Sequence, residues 1–253
     1  MNNVLYAFLL STLAGLSTMF GALFIILFKK KSKNIIIGSL SFAGGVMISI
    51  SLINLIPESL KLLKTIFLPF PSIIICSIFI VIGILISAFI DKYLPTDIND
   101  FHNKKLYRVG IISMIAIILH NIPEGIATFM TTTNDLRLGV SLCIAITCHN
   151  IPEGISIFTP IYYATNKKRK ALLYTFISGI SEPLGALFAF LILKNFINNF
   201  MMSILLAIIA GIMLHISFYE LLPTAKKYNN LLIYYIFIII GIIFMIGNHL
   251  IFH

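Results

Sequence analysis

Two segments of the chain, IISMIAIILHNIPEGIATFM (residues 111–130) and SLCIAITCHNIPEGISIFTP (residues 141–160), contain the same box, His-Asn-Ile-Pro-Glu-Gly. Each box lies in a run of about 20 mainly apolar residues, which is the length that an α-helix needs to cross a bilayer. A charged side chain at the centre of such a helix costs roughly 2.5–3.5 kcal/mol on insertion scales, so it normally faces a bundle interior or a water-filled path. The two boxes therefore predict a functional site inside a membrane-embedded helix bundle.

The composition supports membrane residence along the whole chain. Of the 253 residues, 59% are hydrophobic and only 11% are charged, whereas a soluble domain carries roughly 25% charged residues. Hydropathy predicts an all-α, polytopic bundle that forms a single transmembrane domain with eight helices. The predicted spans are about 4–28, 35–60, 71–91, 108–131, 137–163, 170–194, 199–224 and 231–252.

The basic residues are distributed unevenly between the two sides of the predicted bundle. Fourteen of the 18 lie in the odd-numbered loops: Lys29, Lys30, Lys31, Lys33, Lys92, Lys104, Lys105, Arg108, Lys167, Lys168, Arg169, Lys170, Lys226 and Lys227. The other side has Lys61, Lys64, Arg137 and Lys194. The positive-inside rule then predicts cytoplasmic odd loops and both termini outside. The net charge of +9 is thus a topological signal, and no nucleic-acid binding is expected.

The acidic residues divide by type. All five glutamates, Glu58, Glu124, Glu153, Glu182 and Glu220, fall within predicted spans, while Asp91, Asp97, Asp100 and Asp135 fall at span ends or in loops. Of the histidines, His120, His149 and His215 lie inside spans, His102 lies in a loop, and His249 and His253 are expected to be solvated at the outer end. Because Glu58 and Glu220 lie near span ends, a pathway role and an interfacial role are equally open for them.

The spacing within each box brings potential metal ligands together. Residues four apart lie on one face of a helix, so His120 converges with Glu124, and His149 converges with Glu153. Two such helices facing each other offer two imidazoles and two carboxylates to one ion. Asn121 and Asn150, with Glu182 as a further candidate, are available for a second ion. Imidazole combined with carboxylate suits Zn²⁺ and also Fe²⁺ or Mn²⁺.

The prolines and glycines of the boxes have a structural meaning of their own. Pro123 and Pro152 each remove a backbone donor, which predicts a kink beside the ligands. Gly125 and Gly154 lack side chains and so allow neighbouring helices to approach closely. The three cysteines show no CxxC spacing, and no disulfide is expected.

In combination, these motifs resemble the ZIP (Zrt/Irt-like) metal transporters, especially their ZupT/GufA-like branch. The resemblance covers nearly the whole chain. Besides the two boxes it rests on Ser181-Glu-Pro-Leu-Gly185, Asn54-Leu-Ile-Pro-Glu58, and the stretch from His215 through Glu220-Leu-Leu-Pro-Thr224. It marks Asn54, Glu58, His215 and Glu220 as candidate pathway residues.

The resemblance implies uptake of Zn²⁺, Fe²⁺, Mn²⁺ or Cd²⁺ into the cytoplasm through a binuclear site between the fourth and fifth spans, with one helix group sliding past another. One ion would be bound by His120, Glu124, His149 and Glu153. The second would be bound by Asn121, Asn150 and Glu182, with Glu124 and Glu153 bridging, and it is either transported or structural. The implied setting is a bacterial inner membrane, and the expected partners are the lipid bilayer, the metal ions and, as a candidate, a second copy in a homodimer.

Three other functions compete with uptake. An intramembrane metalloenzyme is disfavoured because zinc proteases place a glutamate between two histidines at i and i+4, whereas the residue that follows each histidine here is Asn121 or Asn150. A metal sensor is disfavoured because the sequence shows no soluble output domain. Export of the same ions is left open, because direction rests on the resemblance alone.

Overall fold

The computed structural model describes residues 2–27, 32–93, 104–192 and 198–252, and within these ranges it contains eight helices long and apolar enough to cross a membrane and no strand. The all-α prediction with eight spans is therefore confirmed. Some residues with predicted positions lie outside the described residues, namely Lys29, Lys30, Lys31, Asp97, Asp100, His102 and Lys194, predicted in loops, and His253, predicted at the outer end. The helices are α1 (Asn2–Leu16 and Thr18–Leu27), α2 (Lys33–Ser49, Ile50–Leu55 and Ile56–Lys64), α3 (Pro69–Tyr93), α4 (Lys104–Asn134), α5 (Leu136–Thr165), α6 (Lys168–Leu191), α7 (Asn199–His215, Ile216–Leu221 and Leu222–Lys226) and α8 (Leu231–Phe252).

Some helices extend beyond the apolar stretches from which the spans were predicted. Helix α2 ends at Lys64 and α4 begins at Lys104, each about one helical turn outside the predicted span. These extra turns carry lysines, whose long side chains can remain in water while the backbone stays helical. Hydropathy detects the apolar part of a helix and therefore misses such ends.

The helices form two groups. Helices α1, α4, α5 and α6 pack against one another, while α2 packs on α8 and on α7, and α3 packs on α7. The groups meet where α2 contacts α5 and where α7 contacts α4. The largest apolar cluster lies at this junction and includes the fully buried side chains of Leu40, Met47, Ile117, Phe158 and Met213. Both boxes therefore lie in the first group, beside its boundary with the second.

Helices α2 and α7 carry a repeated segment that bends each of them. Gly45-Val-Met-Ile-Ser-Ile-Ser-Leu-Ile-Asn-Leu-Ile-Pro57 aligns without gaps with Gly211-Ile-Met-Leu-His-Ile-Ser-Phe-Tyr-Glu-Leu-Leu-Pro223. In both segments a wider π-helical turn precedes the proline, at Ile50–Leu55 and at Ile216–Leu221. The proline lacks an N–H and its ring clashes with the carbonyl four residues earlier, and a locally wider turn relieves both conflicts.

The hydrogen bonds around the two π turns are also equivalent. The Ile56 N–H donates to the Ser51 carbonyl, and the Leu222 N–H donates to the Ser217 carbonyl. The Ser51 hydroxyl donates to the Met47 carbonyl at 2.9 Å, just as the Ser217 hydroxyl donates to the Met213 carbonyl at 2.8 Å. Four helices, an even number, lie between α2 and α7 in the chain, so α2 and α7 run in opposite directions. The chain thus contains an inverted repeat in which α1–α3 correspond to α6–α8, an arrangement typical of secondary transporters.

The glycines of the two boxes allow the helices of the first group to approach closely, as predicted. A Cβ atom at Gly125 would collide with the carbonyl oxygen of Glu182 on α6, and one at Gly154 would collide with the carbonyl oxygen of Thr18 on α1. Each obstacle is a backbone atom, which cannot move aside as the end of a flexible side chain can. Close approach at these points brings α6 and α1 beside the ligands of the boxes.

We expect Gly125→Ala to destabilise the protein by about 1–3 kcal/mol, because the new methyl group forces α4 and α6 apart. Thermal unfolding of the purified protein in detergent measures this. Gly247→Ala on α8 is the matched control, since a Cβ atom there meets no other atom within 4 Å. Equal melting temperatures for the two variants would contradict the close packing described for α4 and α6.

Candidate metal site

The first cluster of ligands comes from both boxes. His120, Glu124 and His149 each offer one ligand atom, and these atoms lie within 4.8 Å of one another. The Glu124 Oε1 atom lies 3.1 Å from His120 Nε2 and 2.8 Å from His149 Nε2. Both imidazoles therefore point at one carboxylate oxygen, so an ion placed between the rings would be in reach of all three side chains.

Glu153 completes this group from the second box. Its Oε1 atom lies 3.5 Å from His120 Nε2, and its side chain is fully buried. Neither of its carboxylate oxygens has a hydrogen-bond donor among the described residues. A buried, ionised carboxylate without donors is strongly unfavourable unless a cation compensates it. Glu153 is thus poised to accept a positive ion.

The asparagines of the two boxes contact the neighbouring helices in equivalent ways. The Asn121 amide donates to the Ser178 carbonyl of α6 at 3.2 Å, and the Asn150 amide donates to the Ala14 carbonyl of α1 at 2.9 Å. Ala14 and Ser178 occupy corresponding positions of the inverted repeat, each directly before a glycine. Each asparagine thereby fixes its box against a helix of the repeat, and its amide oxygen finds no donor in the part of the chain that the structure describes.

Helix α1 is interrupted where it faces the second box. The break lies at Ser17, whose hydroxyl donates to the Ala14 carbonyl at 2.5 Å and also lies 3.3 Å from the Thr147 carbonyl of α5. The Ala14 carbonyl thus accepts both from Ser17 and from Asn150. This break, which was not predicted from the sequence, lies where α1 contacts the stretch of α5 that carries the second box.

Glu182 lies beside the second box. Its Oε2 atom accepts a hydrogen bond from the Asn150 amide at 2.8 Å, and its Oε1 atom has no donor among the described residues. The side chain is fully buried. In the inverted repeat its counterpart on α1 is Thr18, so the carboxylate is present on one side of the site only. An ion bound near Glu182 would therefore have a different environment from one bound between the histidines.

Six side-chain oxygens around the boxes have no hydrogen-bond donor among the described residues. They are Asn121 Oδ1, Asn150 Oδ1, Glu124 Oε2, both carboxylate oxygens of Glu153, and Glu182 Oε1. Buried polar atoms are normally paired, so such a concentration requires an explanation. A divalent cation provides one, because it compensates both the negative charge and the missing donors. This donor set also fits a second ion bound by Asn121, Asn150 and Glu182.

The candidate pathway residue of α2 has a partner at the predicted outer end. The Asn54 amide nitrogen lies 3.2 Å from His249 Nδ1 of α8. His249 is partly buried, so the expectation that it is simply solvated was wrong. Glu58, in contrast, is exposed and lies 3.2 Å from Lys61 on the same helix. The structure thus separates Asn54 from Glu58, which lies at the surface of the bundle.

The candidate pathway residues of α7 lie at the opposite end of the bundle. His215 is buried, lies 3.0 Å from the Ser87 hydroxyl of α3 and stacks on Tyr219. Glu220 lies close enough to Asp91 on α3 for the two carboxyl groups to interact. Asp91 in turn forms an ion pair with Arg108 of α4 at 2.7 Å. These contacts form a polar cluster where α3, α4 and α7 meet.

The inverted repeat relates the two polar pairs to each other. Asn54 and Glu220 occupy corresponding positions, three residues before the prolines of α2 and α7. Gly83 of α3 and Gly241 of α8 pack on corresponding carbonyls of α7 and α2. His249 and Asp91 each lie eight residues beyond those glycines, so the Asn54–His249 contact is the counterpart of the Glu220–Asp91 contact. The sequence analysis missed Ser87 and Asp91 as members of these clusters, and alignment of the repeat could have identified Asp91.

Known proteins resemble this chain over most of its length. Residues 96–249 match the family model described as "ZIP Zinc transporter". The zinc transporter ZupT of Clostridium perfringens is 41% identical over 256 residues, which cover 91% of this chain and 90% of that protein. The zinc transporter ZupT of Oceanobacillus iheyensis is 42% identical over 245 residues and covers 91% of each chain. That of Akkermansia muciniphila is 39% identical over 266 residues and covers 96% of each chain.

We expect Zn²⁺ to raise the melting temperature of the purified protein, because a ligand at 100 times its Kd stabilises the folded state by about 2.7 kcal/mol. Glu153→Gln keeps the shape of the side chain but removes its charge, and it should weaken this binding at least about tenfold. Zinc titrations followed by thermal unfolding measure both effects.

Cys148→Ser is the control for that titration, because a thiol directly before His149 could bind zinc adventitiously. Its zinc-dependent rise in melting temperature should equal that of the unmodified protein. If Cys148→Ser lost the effect while Glu153→Gln retained it, the assignment of the ligands would be wrong.

Proposed function

Because the chain belongs to the ZIP zinc transporter family, we propose that it carries divalent transition-metal ions, with zinc foremost, into the cytoplasm through a binuclear site between α4 and α5. As a member of this family it is a multi-pass membrane transporter and not an enzyme. The eight apolar helices suit a bacterial cell membrane. The observation that carries the proposal is the cluster of His120, His149, Glu124 and Glu153, in which three carboxylate oxygens have no hydrogen-bond donor among the described residues.

The first step is the exchange of water for protein ligands. A hydrated ion that reaches the boxes can replace its water by two imidazole nitrogens, from His120 and His149, and by carboxylate oxygens from Glu124 and Glu153. The two positive charges of the ion offset the burial of the glutamates. Imidazole and carboxylate are ligands that suit Zn²⁺ and also Fe²⁺ and Mn²⁺.

The second ion in this proposal is bound by the asparagines and Glu182. The supporting observation is that the Asn121, Asn150 and Glu182 side chains each have an oxygen without a donor, while the asparagine amide nitrogens are held by backbone carbonyls. Oxygen ligands without imidazole bind zinc less specifically than the first set does. We therefore assign the transported ion to the first set and a structural ion to the second.

The route across the membrane in this proposal uses the two polar pairs of the inverted repeat. Asn54 and His249 lie at the predicted outer end and offer an amide oxygen and an imidazole. Glu220 and Asp91, with His215 nearby, lie at the predicted inner end and offer carboxylates. Movement of the group α1, α4, α5 and α6 against the other four helices would expose the ion to each end in turn. Their boundary, where α2 meets α5 and α7 meets α4, is where this sliding would occur.

We expect Glu124→Ala and His149→Ala each to lower zinc uptake into proteoliposomes at least about tenfold, because each removes one side chain of the first site. Uptake is measured with a zinc-sensitive dye enclosed in the vesicles, at matched protein content. The Cys148→Ser variant serves again as the control. Unchanged uptake in both site variants would refute the assignment of this site to transport.

Import and export are distinguished by the orientation of the protein in the vesicles. A protease site added after His253 reports how many molecules expose that terminus, which is predicted to lie outside. Zinc entry should then increase with the fraction of molecules whose C-terminus faces the medium. Entry that increased with the opposite orientation would indicate an exporter.

The pathway residues should affect the rate of zinc uptake more than the binding of zinc. We expect Glu220→Ala to slow uptake several-fold, because the ion loses a carboxylate on its way out, while the zinc-dependent rise in melting temperature persists. Uptake kinetics and zinc titrations on the same preparation measure the two effects. Loss of the thermal effect in Glu220→Ala would contradict the separation of the pathway from the binding site.

A further inference from the structure

A small cavity lies away from the metal site, where α4 begins and α7 ends. Its volume is about 200 Å³, and it is lined by Lys105, Leu106, Thr224, Lys227 and Tyr228. This volume is below the roughly 300–1,000 Å³ of pockets that enclose drug-sized molecules. The cavity is therefore large enough only for a small chemical group. Of the five described residues that line it, two are cationic and none is acidic.

The two lysines converge although their charges repel. Lys105 and Lys227 both line the cavity, and the positive charge of each disfavours that of the other. Glu220, one turn before Thr224 on α7, attracts Lys105 but is itself engaged by Asp91 and Arg108. Ammonium groups can only donate hydrogen bonds. An anion with several acceptor oxygens would satisfy both of them and remove the repulsion.

Thr224 provides a second, independent observation at this cavity. Its side chain is only 3% exposed, and its hydroxyl oxygen has no hydrogen-bond partner among the described residues. Buried hydroxyl groups are normally paired. Because Thr224 lines the same cavity as Lys105 and Lys227, its hydroxyl is a further candidate donor for an oxyanion.

The position of the cavity indicates where the anion comes from. Lys105 and Lys227 belong to the third and seventh loops of the sequence analysis, which are predicted to be cytoplasmic. Basic pockets between transmembrane helices on this side recognise phosphate-containing lipid headgroups, and the cytoplasmic leaflet is rich in anionic lipids. A free phosphate ion has the same chemistry and is the other source.

We propose that this cavity binds the phosphate group of an anionic phospholipid through Lys105, Lys227 and Thr224. The bound headgroup would join α4, which carries the first box, to α7, which belongs to the other helix group. A lipid would thus connect the two groups at their inner end. The proposal concerns a ligand other than the metal and does not depend on which ion is carried.

The test compares lipid binding by matched double variants. Native mass spectrometry of the purified protein, titrated with phosphatidylglycerol or phosphatidylcholine in neutral detergent, counts the lipids retained. We expect the double variant Lys105→Gln with Lys227→Gln to bind phosphatidylglycerol about tenfold more weakly, since each lysine attracts the anionic headgroup electrostatically. The control is Lys168→Gln with Arg169→Gln, which removes the same charge at exposed positions at the start of α6.

Thr224→Val adds a variant that changes no charge. Weaker binding of phosphatidylglycerol in this variant and in the lysine pair, but not in the control, would support the proposal. Equal weakening in the lysine pair and the control would overturn it, because it would indicate attraction to surface charge in general. Equal retention of phosphatidylcholine and phosphatidylglycerol by the unmodified protein would also overturn it.

A separate titration with inorganic phosphate, followed by thermal unfolding, identifies the source of the anion. Stabilisation by millimolar phosphate that is lost in the lysine pair would assign the cavity to a soluble phosphate and overturn the lipid assignment. Absence of such stabilisation, together with retained phosphatidylglycerol, would support the lipid. Zinc-dependent stabilisation of the lysine pair, measured on the same preparation, reports whether the metal site is intact and keeps the two proposals separable.

Discussion

The burial of negative charge in the middle of the bundle is the constraint on which the rest of the structure depends. Glu124, Glu153 and Glu182 lie inside the group of helices α1, α4, α5 and α6, and four of their six carboxylate oxygens have no hydrogen-bond donor among the described residues. In a membrane interior such groups are tolerated only when they pair with a partner or line an ion pathway. The close packing at Gly125 and Gly154 and the asparagine contacts to α6 and α1 hold these oxygens around one location.

The inverted repeat explains how one chain builds both ends of a pathway. The Asn54–His249 and Glu220–Asp91 pairs arise from corresponding positions of α2 with α8 and of α7 with α3. The pairs differ in chemistry, because one has an amide and an imidazole and the other has two carboxyl groups. The same asymmetry occurs at the centre, where Glu182 corresponds to Thr18. A symmetric scaffold thus carries an asymmetric set of side chains, so the two ends of the bundle differ in chemistry.

Much of the site could be predicted from the sequence because its ligands are local. His120 and Glu124, or His149 and Glu153, are four residues apart, and helical periodicity alone places each pair on one face. The interruption of α1 at Ser17 and the π turns of α2 and α7 could not be predicted in this way. Their serine hydroxyls bond to carbonyls of the preceding turn of the same helix, but whether such a carbonyl also accepts from a partner, as that of Ala14 does from Asn150, depends on a neighbouring helix. The environment of Glu58 could not be predicted from the sequence either. Although this glutamate falls within a predicted span, its side chain is exposed and pairs with Lys61.

The sequence by itself determined that this chain is an eight-helix membrane protein with two equivalent ligand boxes, because apolar length and helical spacing act within one segment. Only the tertiary structure decided which residues of different helices meet. Asn150 meets both Glu182 and the Ala14 carbonyl, His249 meets Asn54, and Lys105 shares a cavity with Lys227. The physical reason is that these contacts depend on how helices distant in sequence pack against one another, and backbone contacts at glycines such as Gly125 and Gly154 set that packing.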